Sequence, residues 1–282
     1  MHIGIITCEI LRREIKEAVE KTGVDKIFLV LPETSNPAIN ALSRRVNKRF
    51  LSELAKDNVN IEIKEKTIEK IEKEICEGGI GNSVIIEVKE LRMHDCPDKL
   101  LAEIEEGIKR MSAFVNCVLL GYGLCGNTAS KIERVITGAK VPVAIPRGRK
   151  GEILNNCIEI ALGRERVQEL LREEPGTFFM TPAGASIIKE PQVILESAIN
   201  IIAGQMTRSA AVDTPRIIKL MKNHYRKVVK ICHSEADERD EKYTETVKNF
   251  ARAFGLEIQI EHGSSKIMLE ALEKAKFVFS SK

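Results

Sequence analysis

Apolar runs of roughly four to seven residues alternate along the chain with amphipathic stretches of roughly ten to twenty, the pattern of strands separated by helices. Residues 3–7, Ile-Gly-Ile-Ile-Thr, read as a β-type run. Ile10, Leu11, Ile15, Ala18 and Val19 then fall on one helical face. A second strand over 27–31 stops at Pro32, and a helix over 41–54 carries Arg44, Arg45, Lys48 and Arg49 on its polar side. Strands are predicted at 59–63 and 83–88, around a Glu/Lys-rich helix over 67–76 that stops before Gly78-Gly79, a C-cap signal. The second half repeats the alternation: strand 115–120, helix 128–137, strand 141–145, helices 153–162 and 166–171. Residues 183–224 carry little strand signal and read as a helical insert. Strand 227–231, helix 237–254, strand 256–260 and helix 265–275 follow.

This alternation predicts an α/β protein of repeated βαβ, Rossmann-like units, with largely parallel sheets and helices on both faces. Two parts are expected: an N-terminal α/β unit, 1–113, and a C-terminal part, 114–282, subdivided near 226. Composition narrows the function classes. With 43% hydrophobic and 30% charged residues the chain can bury a core. Lys+Arg number 44 against 41 Asp+Glu, a net charge of +3, which gives no overall drive toward nucleic acid. Aromatics at 4% and the lack of Trp leave few stacking platforms for single strands, so no nucleic-acid partner is expected. No apolar run nears the ~20 residues of a membrane span, and residues 1–7 show no basic start to a secretory signal. A cytoplasmic protein without a membrane partner is expected.

Seven cysteines in such a chain predict reduced thiols or metal ligands rather than a disulfide framework, and the odd count argues against full pairing. Cys8, Cys125 and Cys232 each follow an apolar strand and precede a helix. Ligands of open α/β sheets bind outside the carboxyl ends of the strands, so these positions are candidates for a shared site. The alternative is that each thiol fills apolar space near a strand end. Cys76 and Cys117 fit apolar stripes and read as core.

The densest motif is Gly121-Tyr122-Gly123-Leu124-Cys125-Gly126-Asn127-Thr128, which follows a strand, opens a helix and matches G-x-G-x-x-G. Gly121, Gly123, Gly126, Asn127 and Thr128 are its candidate ligand-binding residues, through backbone N–H groups at a helix N-terminus. A dinucleotide site would place an acidic residue at the end of the next strand, where this chain has Arg147 and Arg149. These arginines suit a phosphate, and a cysteine inside the loop suits a ligand or nucleophile. A tight turn that needs small residues is the structural alternative. Met93-His94-Asp95-Cys96-Pro97 offers His94 and Cys96 as metal-competent groups, with Asp95 to orient the imidazole, or an ordinary helix start at Pro97. Cys157 begins a helix, where the dipole favours the thiolate, or else lies on the apolar face of Ile153 and Ile160. No Ser/His/Asp order, H-E-x-x-H, P-loop or repeated C-x-x-C is present.

These segments together resemble an uncharacterised family known only as a domain of unknown function, whose members occur in anaerobic archaea and bacteria, often beside corrinoid-dependent methyltransferase genes. The resemblance rests on the start Cys8 to Glu14, on Met93-His94, on Gly121 to Asn127, on Cys157 to Gly163, and on Pro175-Gly176-Thr177-Phe178-Phe179-Met180-Thr181-Pro182. The family pattern has His-Asp-Cys where this chain has Asn155-Asn156-Cys157, which keeps the thiol and loses an imidazole. The resemblance implies that Cys8, His94, Cys125 and Cys157 form the metal site, holding zinc or an iron–sulfur cluster, while Cys76, Cys117 and Cys232 stand outside it. It also implies a place in one-carbon or corrinoid methyl metabolism, with a corrinoid protein or methyltransferase as partner. Two other readings stay open at this point: a nucleotide- or phosphate-binding enzyme using the 121–128 loop, and a non-catalytic accessory protein presenting the 44–49 face. The sequence leaves open whether the chain is an enzyme, and for which small molecule.

Overall fold

The computed structural model describes residues 1–32, 37–55, 61–89, 91–188 and 223–280. The expected insert over 183–224 lies outside the described residues from 189 to 222. The strands are β1 (His2–Cys8), β2 (Lys26–Leu31), β3 (Glu62–Thr67), β4 (Ser83–Lys89), β5 (Cys117–Gly121), β6 (Val143–Ala144), β7 (Thr177–Met180), β8 (Lys227–Cys232) and β9 (Glu257–His262). The α-helices are α1 (Arg12–Glu20), α2 (Pro37–Leu54), α3 (Ile68–Cys76), α4 (Pro97–Met111), α5 (Ala129–Thr137), α6 (Cys157–Leu162), α7 (Arg164–Glu173), α8 (Pro182–Ile188), α9 (Glu235–Arg239), α10 (Glu241–Phe254) and α11 (Lys266–Ser280). None among the described residues is long and apolar enough to cross a membrane.

The fold is α/β with two parallel sheets. The chain divides into two compact units, Met1–Ala161 with Ser265–Lys282, and Leu162–Ser264. No division falls at 113/114, because β5, just beyond that point, hydrogen-bonds to β1 along Ile3–Thr7. The first unit holds six parallel strands in the order β3-β2-β4-β1-β5-β6. Ile3 and Ile5 pack with Leu11 and Ile15 of the first helical segment, Phe50 and Leu54 of α2, and Met268 and Leu272 of α11. Successive strand residues point to opposite faces, so Ile6 turns the other way, against Gly107 of α4. The helix after β1 and the helix after β4 therefore leave the sheet on opposite faces, although β1 and β4 are neighbours in register from His2↔Ser83 to Cys8↔Lys89. This divergence opens a crevice at the carboxyl ends of β1 and β4, the place where open α/β sheets bind ligands.

The second unit is the parallel sheet β7-β8-β9. Tyr243, Val247 and Phe250 of α10 pack on Tyr225 and Val228, and Tyr243 donates its hydroxyl to the Met180 and Ile231 carbonyls at 2.6 and 2.9 Å.

Three elements depart from the sequence pattern. The strand expected at 59–63 lies at Glu62–Thr67, where cross-strand charge pairs such as Lys26–Glu62 at 2.9 Å replace an apolar alternation. The helix expected over 153–162 starts only at Cys157, because the Leu154 and Asn155 carbonyls accept hydrogen bonds from the 121–128 loop. The helix expected over 237–254 is broken at Asp240, whose carboxylate caps α10 by accepting from the Tyr243 amide at 3.0 Å.

Candidate functional site

Three loops meet at the crevice. After β1, Cys8 ends the strand and a 3-10 turn, Glu9–Leu11, leads into α1. After β4, the 3-10 turn Leu91–Asp95 carries His94 ahead of α4. After β5 comes the loop of residues 122–128. Thr7 ties the first and third together by donating its hydroxyl to the Gly121 carbonyl at 3.2 Å.

The glycine motif acts as a backbone clamp. The Leu124 amide donates to the Leu154 carbonyl at 2.7 Å and the Cys125 amide to the Asn155 carbonyl at 2.8 Å. A Cβ at Gly123 would stand 2.6 Å from the Asn156 nitrogen and 2.7 Å from the Leu154 oxygen, so only glycine allows the two backbones to meet. Cys125 itself has φ 47°, a left-handed conformation that is uncommon outside glycine. The clamp thus delivers Cys125 beside the start of α6, where Cys157 stands. Asn156 caps that helix by accepting from the Ile158 and Glu159 amides, both at 3.1 Å. Asn155 bonds Glu159 twice, at 2.7 and 2.9 Å. The two asparagines at the departure from the family pattern are therefore occupied in holding Cys157's helix.

The same bonds bear on the phosphate reading. The Leu124, Cys125 and Asn127 amides are spent on backbone carbonyls, and Thr128 caps α5 with its own hydroxyl. Arg147 is held by Glu133 at 2.6 Å and by the Gly151 carbonyl at 2.9 Å. Gly121, Gly123, Gly126, Asn127 and Thr128 shape the site without leaving these donors for an anion.

Electrostatics link the three thiols. Burial raises the Cys8 thiol well above its ordinary value; Cys157 raises it further, the Ile10 amide opposes, and Cys125 and Glu9 add to the rise. Cys157 is raised by burial, then by Cys125 and by Glu14 of α1. The amides at the start of α6 do pull the Cys157 thiol down, as its place at a helix N-terminus predicts, but burial and the neighbouring groups outweigh them. Burial pushes Cys125 up to about 11. All three thus favour the protonated thiol at neutral pH. Cys8 is buried, while Cys125 and Cys157 are half-buried.

Tyr122, which sequence reasoning passed over, is buried to 1% exposure between the two glycines. Its hydroxyl has no hydrogen-bond partner among the described residues, and it is raised by burial and then by Cys8, Cys125 and Glu87. The His94 ring lies 6.0 Å from the Tyr122 ring, and its buried Nε2 is also without a partner. Burial lowers His94, so it is a neutral imidazole at pH 7. A buried polar atom left without a partner costs ~1–3 kcal/mol.

Cys8, Cys125 and Cys157 thus gather at one crevice, with His94 joined to them through Tyr122. Cys232 is buried at the end of β8 in the apolar core of the second unit. Cys76 is exposed and Cys117 is core, and the Asp95 side chain falls outside the described residues. Among the described residues no three His, Cys, Asp or Glu side chains are arranged to hold a metal ion.

A comparison with curated proteins finds no match. A family model described as a protein of unknown function, DUF1638, matches residues 88–272, a span that includes His94, Cys125 and Cys157 and starts C-terminal to Cys8. By that match over most of its length, the chain belongs to the DUF1638 family.

Proposed function

We propose that the crevice at the ends of β1, β4 and β5 binds a thiophilic metal centre, with Cys8, Cys125 and Cys157 as thiolate ligands and His94 Nε2 as the fourth donor. The supporting observation is the mutual electrostatic coupling of three thiols drawn from three separate segments, beside an imidazole nitrogen that lacks a partner. Buried thiols pushed this far up cannot ionise alone. A divalent cation or an iron–sulfur cluster supplies the positive charge that makes them thiolates. Three thiols with one imidazole suit zinc, and three thiols alone suit a cluster with one iron open to substrate. The reading places the chain in the cytoplasm of an anaerobe, serving one-carbon or corrinoid methyl chemistry with a corrinoid protein or methyltransferase as partner. That setting rests on the family resemblance.

The phosphate-binding alternative is less favoured, since the Leu124, Cys125 and Asn127 amides of the loop are already bonded to backbone carbonyls. Elemental analysis and a visible spectrum of anaerobically purified protein test the proposal. Iron with sulfide and a broad visible band identifies a cluster; one colourless zinc per chain identifies the Cys3His site. Absence of both metals from freshly purified protein, and from protein reconstituted with each, overturns it.

A further inference from the structure

A second feature adjoins the thiol crevice without belonging to it. A cleft of about 610 Å³ opens at the carboxyl ends of β2 and β4, between α2 and α4. Its floor is charged and buried. Glu87 and Lys89 stand on the same face of β4, at 9% and 6% exposure. Lys89 donates to Glu87 at 2.7 Å and to Glu103 of α4 at 3.3 Å, and Arg110 donates to Glu87 at 2.9 Å. An ammonium has three N–H groups, so one of Lys89's is left over.

Burying such a network is costly, and apolar residues of similar volume commonly stabilise a fold as well or better. Its position in the wall of a ligand-sized cleft at a strand-end crevice gives it a binding role instead. The charge balance identifies the ligand class. Among the described residues, Lys89, Lys99 and Arg110 line this cleft together with Glu69, Glu87 and Glu103, three of each sign. A phosphorylated ligand needs an excess of cations, and an apolar one would leave these charged groups without polar partners. A small molecule carrying both signs meets both sets. Asn47, 3% exposed, adds a neutral contact, since its amide nitrogen is held by the Val30 carbonyl at 3.2 Å and its oxygen remains as an acceptor.

We infer that this cleft binds a small zwitterion of the amino-acid class, its carboxylate at Lys89 and its ammonium at Glu103. Lys89 is the register partner of Cys8, so the bound molecule lies next to the thiols. The inference does not depend on a metal being there.

Isothermal titration calorimetry of the full chain with each of the twenty protein amino acids tests it, with inorganic phosphate and AMP as counter-probes. At least one amino acid is expected to bind saturably, and Lys89→Met to weaken it at least tenfold. Because Lys89→Met leaves Glu87 short of one cation and can unfold the chain, Glu103→Gln, isosteric and half-exposed, is the second variant, with a several-fold loss expected. No amino-acid binding to the folded wild type overturns the inference. So does binding that both folded variants keep unchanged, or tighter binding of phosphate or AMP at this cleft. Metal content measured on the same samples separates the two readings: binding without metal counts against the metal centre alone, and metal without binding against the cleft alone.

Discussion

Cys125 shows how much a single residue carries. Its left-handed backbone costs ~1–2 kcal/mol that glycine would not incur, yet the position holds a thiol. The expectation is that metal-free Cys125→Gly is more stable than Cys125→Ser by about 1 kcal/mol, because glycine relieves the backbone and serine does not. On the proposed metal site, neither variant is expected to bind metal as wild type does. Urea denaturation of the two metal-free proteins checks this, and equal stabilities would show that the strain has another origin. Cys8 and Cys125 are legible in the sequence as strand-end positions before helices, and Cys157 as a helix start. Their pKa direction was not, since a helix N-terminus lowers a thiol only where burial does not outweigh it. Tyr122 was illegible for a related reason: only the fold shows that its hydroxyl finds no partner.

At the scale of elements, the site depends on a contact between two loops. The 121–128 loop and the 154–157 segment share hydrogen bonds that the strand and helix pattern does not announce, which is why the α6 start was expected four residues early. Buried strands such as Ile27 to Leu31 read directly from their apolar runs, and β1, β4 and β8 fall within one residue of their expected ends. β3 escapes that reading because it is held by ion pairs at the sheet edge. The clamp makes a direct prediction. In Gly123→Ala the new Cβ meets three backbone atoms at 2.6–2.8 Å, so the loops must part. A loss of about 1–3 kcal/mol in urea denaturation is expected, together with weaker metal binding. A change below ~0.5 kcal/mol would mean that the loops are not clamped as described.

For the whole molecule, the βαβ alternation foretold the fold class, but not that the last helix returns to the first unit to complete its core. That return leaves Cys232 in the second unit and Cys8, Cys125 and Cys157 in the first. The metal account also fixes a pH dependence. The thiols are raised in the free chain and must lose protons to ligate, so affinity increases with pH and falls on acidification. Acidification also protonates His94 once the pH drops through its lowered value, removing the fourth donor.

The most direct measurement is an anaerobic cobalt(II) titration, read by the thiolate-to-cobalt absorbance, of wild type and of Cys8→Ser, Cys125→Ser, Cys157→Ser and Cys232→Ser. The account predicts one cobalt per chain in wild type and Cys232→Ser, and loss or marked weakening in each of the other three. A thiolate band absent from folded wild type, or unchanged in those three variants, would contradict it.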